Sequence, residues 1–160
     1  MAARSRTLLR GMVEQAWPVL QTMTEQEAVQ PYATGKWTRK EVIGHLIDSA
    51  TNNHGRFVRA QLQESMDFAG YAQDDWVRVQ RYREASWPEL LALWRSLNLH
   101  IAWVMEAASE EERLRPREDH ALDRIAFRTP PATATLEWFM EDYVEHLRHH
   151  LRQILPEGTL

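Results

Sequence analysis

Apolar residues recur along this chain three or four positions apart, as on one face of an α-helix, and the alternation typical of β-strands is nearly absent. Pro18 lies inside the first such segment, and because proline removes a backbone donor we expect it to kink or divide that helix. The segment runs from about Ser5 to Met23. Its apolar positions are Leu8, Leu9, Met12, Val13, Ala16 and Leu20. The same periodicity returns three more times, so the pattern predicts four long helices.

Capping signals mark where the second and third helices begin. Thr38-Arg39-Lys40-Glu41 and Ser86-Trp87-Pro88-Glu89 each place a hydroxyl three residues before a carboxylate. In such a capping box both side chains accept a hydrogen bond from an otherwise unpaired backbone N–H. We expect these helices to end near Glu64 and Ala107.

Two long connections separate these helices. The segment 65–85 contains a glycine and predicts a loop with a short helix at 74–81. The segment 115–131 is irregular, with extended structure expected at 124–128, and the fourth helix follows Thr133. Four helices with long second and third connections predict an all-α fold, a four-helix bundle in which facing helices can direct polar groups into the core.

Composition agrees with one folded domain over residues 1–160. The chain is 44% hydrophobic and 26% charged, which is ordinary for a globular protein. The net charge of −4 comes without a basic stripe, so we expect no nucleic-acid partner. No segment approaches the ~20 apolar residues that cross a bilayer, and the N-terminus lacks the apolar run of a secretion signal. We therefore predict a cytoplasmic protein that does not bind membranes.

Histidines are the strongest candidates for chemistry. The chain has no cysteine, which leaves histidine and carboxylates as metal ligands and fits a reducing compartment. On the fourth helix His146 and His150 are one turn apart, a spacing at which two imidazoles can bind one ion. Two solvated histidines would show the same spacing. The neighbouring His149 is expected to face solvent or to support the ligands.

The second helix carries a polar face that adds a third histidine. Such a face is usually the solvated side of a surface helix, so an isolated histidine there is more often structural than a ligand. Its members lie three or four positions apart: His45, Asp48, Ser49, Asn52, Arg56 and Arg59. If the second and fourth helices meet, His45 completes a three-ligand site.

Two segments resemble the DinB/YfiT-like superfamily. Residues 35–49, GKWTRKEVIGHLIDS, resemble its second-helix signature, a Trp-Ser/Thr start followed by His-Leu-x-Asp-Ser, and Asn52 and Arg56 match its later positions. Residues 146–154 resemble its closing motif, two histidines four positions apart followed by Gln-Ile. The middle of the chain, residues 71–98, resembles the YfiT-like branch more closely.

The resemblance implies a four-helix bundle, often a homodimer, with a Zn²⁺ or Ni²⁺ ion on three histidines. At matching positions these are His45, His146 and His150. The chain departs from many relatives in having Leu151-Arg152-Gln153 in place of Arg-Gly-Gln, which leaves the ligands intact but changes packing beside them. Members include S-transferases that use a low-molecular-weight thiol and metal-dependent hydrolases.

Three protein ligands leave one open position on a tetrahedral ion, which is typical of a catalytic site. We expect a metal-dependent enzyme acting on a small molecule. The leading prediction is transfer of a low-molecular-weight thiol to an electrophile, with the thiol supplied as cosubstrate because the chain has none. Hydrolysis by water activated at the ion is the close alternative. A metal-binding stress-response protein without turnover is the third.

Other residues receive roles in this prediction. Asp48 is the candidate catalytic group, orienting an imidazole or polarising water, against the alternative of a surface carboxylate. Asn52 and Arg56 are candidates for binding an anionic or polar substrate group. For Arg56, an ion pair with a carboxylate such as Asp74 or Glu145 is equally consistent with the sequence. Tyr71 and Trp76 lie on the connection that would cover the site, where aromatic residues more often serve packing.

Overall fold

A computed structural model describes the backbone of residues 3–160 and the side chains from residue 7 onward. Within residues 3–160 there are helices and isolated β-bridges but no β-strand, which confirms the predicted all-α fold. None of these helices combines the length and apolar character needed to cross a membrane. The long helices are α1 (Ala3–Thr22), α3 (Arg39–Ala60), α5 (Trp87–Ala107) and α7 (Leu136–Ile154). The short ones are α2 (Glu25–Ala28), α4 (Gln73–Val79) and α6 (Glu110–Leu114).

The four long helices form a closed ring of neighbours around one core. Helix α5 packs against α1 and α3, and α7 packs against the same two helices from the other side. Fully buried side chains of this core come from all four helices: Leu9, Leu20, Ile43, Leu46, Trp94, Ile101, Leu136 and Leu151. The first helix follows its predicted face except for Leu8, which is 40% exposed. Because α3 and α7 are neighbours, the second and fourth helices of the sequence pattern do meet.

Helix α3 begins as its capping signal predicts. The Thr38 hydroxyl accepts a hydrogen bond from the Glu41 N–H at 3.1 Å, and the Glu41 carboxylate accepts one from the Thr38 N–H at 2.8 Å. The helix ends at Ala60 and not near Glu64 as predicted. Arg117 explains the early end, because its guanidinium donates to the Ala60 carbonyl at 2.6 Å and so satisfies one of the last carbonyls of the helix.

The start of α5 carries only half of the predicted box. The Ser86 hydroxyl accepts a hydrogen bond from the Glu89 N–H at 3.5 Å, but no reciprocal bond from the Ser86 N–H is recorded within the part of the chain that is described. Pro18 does not divide α1, since the helix is continuous from Ala3 to Thr22. The carbonyl that Pro18 leaves without a helical partner belongs to Glu14, an exposed residue that water can reach.

The two long connections are only partly regular. The first contains α4, close to the short helix predicted at 74–81, followed by a single 3₁₀ turn at Tyr82–Glu84. The second contains α6 and a 3₁₀ turn at Leu122–Arg124. Extended structure at 124–128 was therefore predicted wrongly. The segment is bent because the Asp142 carboxylate on α7 accepts hydrogen bonds from the N–H groups of Phe127 and Arg128, both at 2.8 Å. The backbone at 127–128 therefore curves around this carboxylate.

Candidate metal centre and adjoining cavity

Three histidines from two neighbouring helices converge at one point. The His45 side chain on α3 is fully buried, while His146 and His150 on α7 are half-buried. Nε2 of His45 lies 3.1 Å from Nε2 of His146, and one ring nitrogen from each of the three falls within 4.8 Å of the others. Tetrahedral zinc with Zn–N distances of ~2.0–2.1 Å requires nitrogens roughly 3.4 Å apart, which is close to the 3.1 Å between His45 and His146. The three imidazoles therefore fit a single ion, and no other group of three such ligands is found among the described residues.

Burial keeps these imidazoles neutral. It lowers the pKa of His45 to about 3, with a smaller contribution from the neighbouring His150. It also lowers the pKa of His146 well below the usual range, and that of His150 to a lesser degree because Gln153 opposes the shift. A metal ligand must offer a lone pair, which a protonated imidazole lacks. At neutral pH the site is therefore ready to bind a cation without first releasing protons.

Neighbouring side chains orient two of the rings. Gln153 Oε1 lies 2.8 Å from His150 Nδ1, a pairing that places the proton on Nδ1 and leaves the Nε2 lone pair free. The Ser49 hydroxyl lies 3.5 Å from His146 Nδ1. The exposed His149 is 3.4 Å from the Gln153 amide nitrogen, so it supports the group from outside. Gln153 is one of the residues through which the closing motif resembles the superfamily, and here it fixes a candidate ligand.

Asp48 is buried on α3 but faces the connection and not the imidazoles. One of its oxygens accepts hydrogen bonds from the Tyr82 hydroxyl at 2.7 Å and from the Gln80 amide at 2.8 Å. The other oxygen is buried and has no hydrogen-bond partner among the described residues. Burial raises the pKa of this carboxyl. In this arrangement Asp48 positions the chain after α4, and it makes no hydrogen bond with His45, His146 or His150 within the described residues.

Gly44 allows the Tyr82 ring to reach Asp48. A Cβ at position 44 would lie 2.1 Å from Tyr82 Cδ2 and within 2.5 Å of two further ring atoms. Real Cβ atoms do not approach other atoms this closely, so only glycine fits beneath the ring. The residue that directly precedes His45 therefore fixes the packing of the connection on α3.

A cavity of about 320 Å³ opens beside the histidines. Arg56 and Tyr71, both predicted to bind substrate, lie in its wall together with His146 and His150. The structure places Asn52 elsewhere: its amide donates to the Asp48 carbonyl at 2.9 Å, and its side chain lines a separate depression. Trp76 packs on Tyr71, with ring centroids 4.8 Å apart, and is 38% exposed outside this cavity.

The predicted alternative for Arg56, an ion pair with Asp74 or Glu145, is not found among the described residues. Its guanidinium donates instead to the Ala69 carbonyl at 2.7 Å. Glu145 pairs with Arg148 on its own helix.

Sequence reasoning missed several residues of the cavity wall. Asn53, and not Asn52, lies in the cavity wall. The sequence pattern that could have indicated Asn53 is its spacing of four residues from Ser49, which is as regular as the spacing that pointed to Asn52. Phe127 lies over His146, with ring centroids 5.6 Å apart, but it belongs to an irregular segment in which no periodic pattern exists. Tyr143 and Asp142 face the cavity from α7.

Comparison of the sequence with known protein families and structures identifies relatives of this chain. The model of the DinB superfamily matches residues 8–154. The chain belongs to the DinB superfamily. Among the relatives of this superfamily member is a Bacillus subtilis protein named "Putative metal-dependent hydrolase YfiT", 29% identical over 137 residues that cover 84% of this chain and 71% of that protein.

Further relatives of this DinB superfamily member carry the same description. A Bacillus mycoides protein named "Putative metal-dependent hydrolase" is 25% identical over 85 residues, 53% of this chain, and the match spans about half of that relative, 47% of its length. The solved structure of Bacillus subtilis YfiT is described as a probable metal-dependent hydrolase with an unusual four-helix bundle topology. It is 23% identical, covers 96% of this chain and 83% of its own, and has a TM-score of 0.79, which shows the shared fold.

Proposed function

We propose that this chain is a metal-dependent hydrolase in which His45, His146 and His150 bind one divalent ion. The observation that carries the proposal is the convergence of three neutral imidazoles at one end of a cavity. The relatives' names refer to metal dependence and to hydrolysis, which supports the same activity. We further propose Zn²⁺ or Ni²⁺ as the ion, because an all-imidazole ligand set suits these metals better than Mg²⁺ or Ca²⁺.

The chemistry follows from the ligand number. A divalent ion bound by three protein ligands acts as a Lewis acid with an open position at which water is activated. No fourth histidine or carboxylate completes the group within the described residues. The rings of Trp37 and Phe127 cover His45 and His146, at centroid distances of 4.9 and 5.6 Å, and so reduce the access of bulk water. Electrostatic interactions in such a sheltered site are stronger than in water.

The cavity supports an enzyme over a metal-binding stress-response protein without turnover. It lies directly beside two of the ligands and is large enough for a small molecule. Thiol transfer, the leading activity predicted from the sequence, gains no support from the relatives' names, so hydrolysis takes its place as the principal proposal. Thiol transfer and the homodimer both stay predictions.

The first experiment measures metal. Purified wild-type protein supplied with Zn²⁺ and Ni²⁺ should hold about one equivalent by mass spectrometry, as a single three-histidine site requires. His150→Ala should lose it, whereas His100→Ala is the matched control, because His100 is exposed on α5 and lies outside both the three-histidine group and the cavity wall. Absence of metal from the wild type, or equal metal in both variants, would refute the site.

The second experiment measures turnover. Zinc-loaded wild type and His100→Ala should hydrolyse members of a panel of small esters and amides, and His150→Ala should not. A wild type that holds metal but hydrolyses nothing in the panel would contradict the hydrolase proposal. Cobalt-substituted protein then separates the two chemistries, since a thiol that binds as thiolate adds a sulfur-to-cobalt charge-transfer band that an oxygen-coordinating hydrolase substrate lacks.

A further inference from the structure

The cavity wall contains a buried cationic side chain, Arg56, that has no counter-ion among the described residues. The Arg56 side chain belongs to a residue that is 4% exposed, and no carboxylate lies within 4 Å of it among the described residues. Its recorded partners are neutral: the Ala69 carbonyl at 2.7 Å, the Asn53 amide oxygen at 3.4 Å and the Tyr71 ring, 6.0 Å from the guanidinium carbon. Burial raises the pKa of Tyr71 to about 12, so this phenol is uncharged at neutral pH and does not balance Arg56.

The other charges of the cavity do not balance Arg56 either. Asp142 is the acid in the wall, and its two oxygens are occupied by the backbone N–H groups of Phe127 and Arg128 and by the Arg128 guanidinium at 3.1 Å. Arg124 adds a second positive group at the rim, where it is exposed and 3.8 Å from Asp67. Burying a charge without a partner is unfavourable, so a residue like Arg56 indicates a missing anion.

Polar side chains connect this cation with the histidines along one face of α3. The Ser49 hydroxyl lies 3.5 Å from His146 Nδ1 and 3.3 Å from the Asn53 amide nitrogen, and Asn53 Oδ1 lies 3.4 Å from an Arg56 nitrogen. Seven residues of helix separate Ser49 from Arg56, which corresponds to about 10 Å along the axis. Apolar side chains, including Phe127 and Phe139, also line the cavity. A ligand that fills the cavity is therefore elongated, with unlike ends.

We propose that the cavity binds an elongated small molecule whose terminal anionic group, a carboxylate or a phosphate, pairs with Arg56 while its other end lies at the histidines. Guanidinium is suited to both anions because its N–H groups match their oxygens in pairs. The reacting end of this ligand rests on the hydrolase proposal. The anionic end does not, because the charge and burial of Arg56 are independent of any metal.

The test observes the anion site directly in metal-free protein, so that it does not depend on turnover. Glutarate and inorganic phosphate are titrated separately into ¹⁵N-labelled wild type, and the Arg56 Nε–H signal is followed by NMR. The signal is assigned by its loss in Arg56→Met and, independently of that variant, by triple-resonance NMR of ¹³C,¹⁵N-labelled wild type. Glutaramide, which is neutral and of similar shape, controls for non-ionic binding. Arg152→Met is the matched variant, because Arg152 is an exposed arginine on α7 outside this cavity.

The expected result is a saturable shift of the Arg56 signal with glutarate or phosphate and none with glutaramide. Arg152→Met should bind the anion as the wild type does, whereas Arg56→Met should bind it at least roughly tenfold more weakly, as expected for loss of a charge-assisted pair. A shift with one anion alone identifies the ligand as a carboxylate or a phosphate compound. An Arg56 signal that neither anion moves would overturn the proposal, even if Arg56→Met failed to fold.

Failure of this proposal is distinguishable from failure of the proposed function. A protein that hydrolyses neutral esters while its Arg56 signal ignores both anions is a hydrolase without the anion site. A protein whose Arg56 signal shifts but which hydrolyses nothing keeps the anion site and loses the hydrolase activity.

Discussion

Replacing Gly44 with alanine should destabilise the protein, although the same change usually stabilises a helix. In a helix interior Gly→Ala is favourable by up to ~1 kcal/mol. At Gly44 the new Cβ would lie 2.1–2.5 Å from three atoms of the Tyr82 ring, which is almost fully buried and cannot move away freely. Relieving such an overlap costs about 1–3 kcal/mol. Moving the ring also removes the hydroxyl that donates to the Asp48 carboxylate, at a cost of about 1.5–3 kcal/mol.

The net expectation is a loss of about 1.5–5 kcal/mol in the free energy of unfolding, once the gain in helix propensity is subtracted. Gly11→Ala is the matched control, because a Cβ there meets no atom within 4 Å and should stabilise α1 by about 0.5–1 kcal/mol. Urea unfolding followed by circular dichroism, with chelator present throughout, measures both variants without a contribution from metal. Shifts of the same sign in the two variants would refute the packing argument at Gly44.

Three further predictions concern the histidines and one buried ion pair. Zn²⁺ at a hundredfold excess over its Kd should raise the free energy of unfolding by ~2.7 kcal/mol, measured as a thermal shift that chelator reverses; an unchanged melting temperature would contradict a native-state site. The metal-free protein should lose stability as pH falls from 6.5 towards 3. In this range His45 is protonated in the unfolded chain but stays neutral in the folded protein, where its pKa is about 3. The slope for this residue approaches ~1.4 kcal/mol per pH unit, and urea midpoints at pH 7 and pH 5 that agree would argue against a buried neutral ring. Arg113→Met should cost about 3–5 kcal/mol, because Arg113 forms a buried ion pair with Glu137 at 2.5 Å, and a urea midpoint equal to that of the wild type would show that the pair adds no stability.

The fold could be predicted from local signals wherever these signals act on the backbone directly. Thr38 and Glu41 fix the start of α3 through two hydrogen bonds of their own, so their spacing alone was sufficient. The spacing of His146 and His150 likewise defines a helical face before any partner is known. The contact of both with His45 needed the neighbouring placement of α3 and α7, which only the resemblance implied.

Other features depend on partners distant in sequence. Steps of three or four residues along α3 lead to Asn52 from Asp48 and equally to Asn53 from Ser49. Only the position of α7 decides which of the two asparagines lines the cavity. The early end of α3 requires Arg117, which lies 57 positions beyond the carbonyl that it caps. The bend at 124–128 similarly comes from a carboxylate on α7, and no sequence pattern within the segment itself predicts it.

Through that carboxylate, Asp142, helix α7 positions both the candidate metal ligands and the loop that lines the cavity. Asp142 stands one turn before His146 on α7, and it holds the backbone at Phe127 and Arg128, so the candidate metal ligands and the facing wall of the cavity share a rigid support. The chain between this anchor and the start of α7 bears no part of the cavity wall. Changes of length between residues 129 and 134 should therefore leave the shape of the cavity unaltered, whereas changes at residues 125–127 alter it directly. Substitutions of the three loop side chains at 125–127 would therefore change the cavity while His45, His146 and His150 keep their positions.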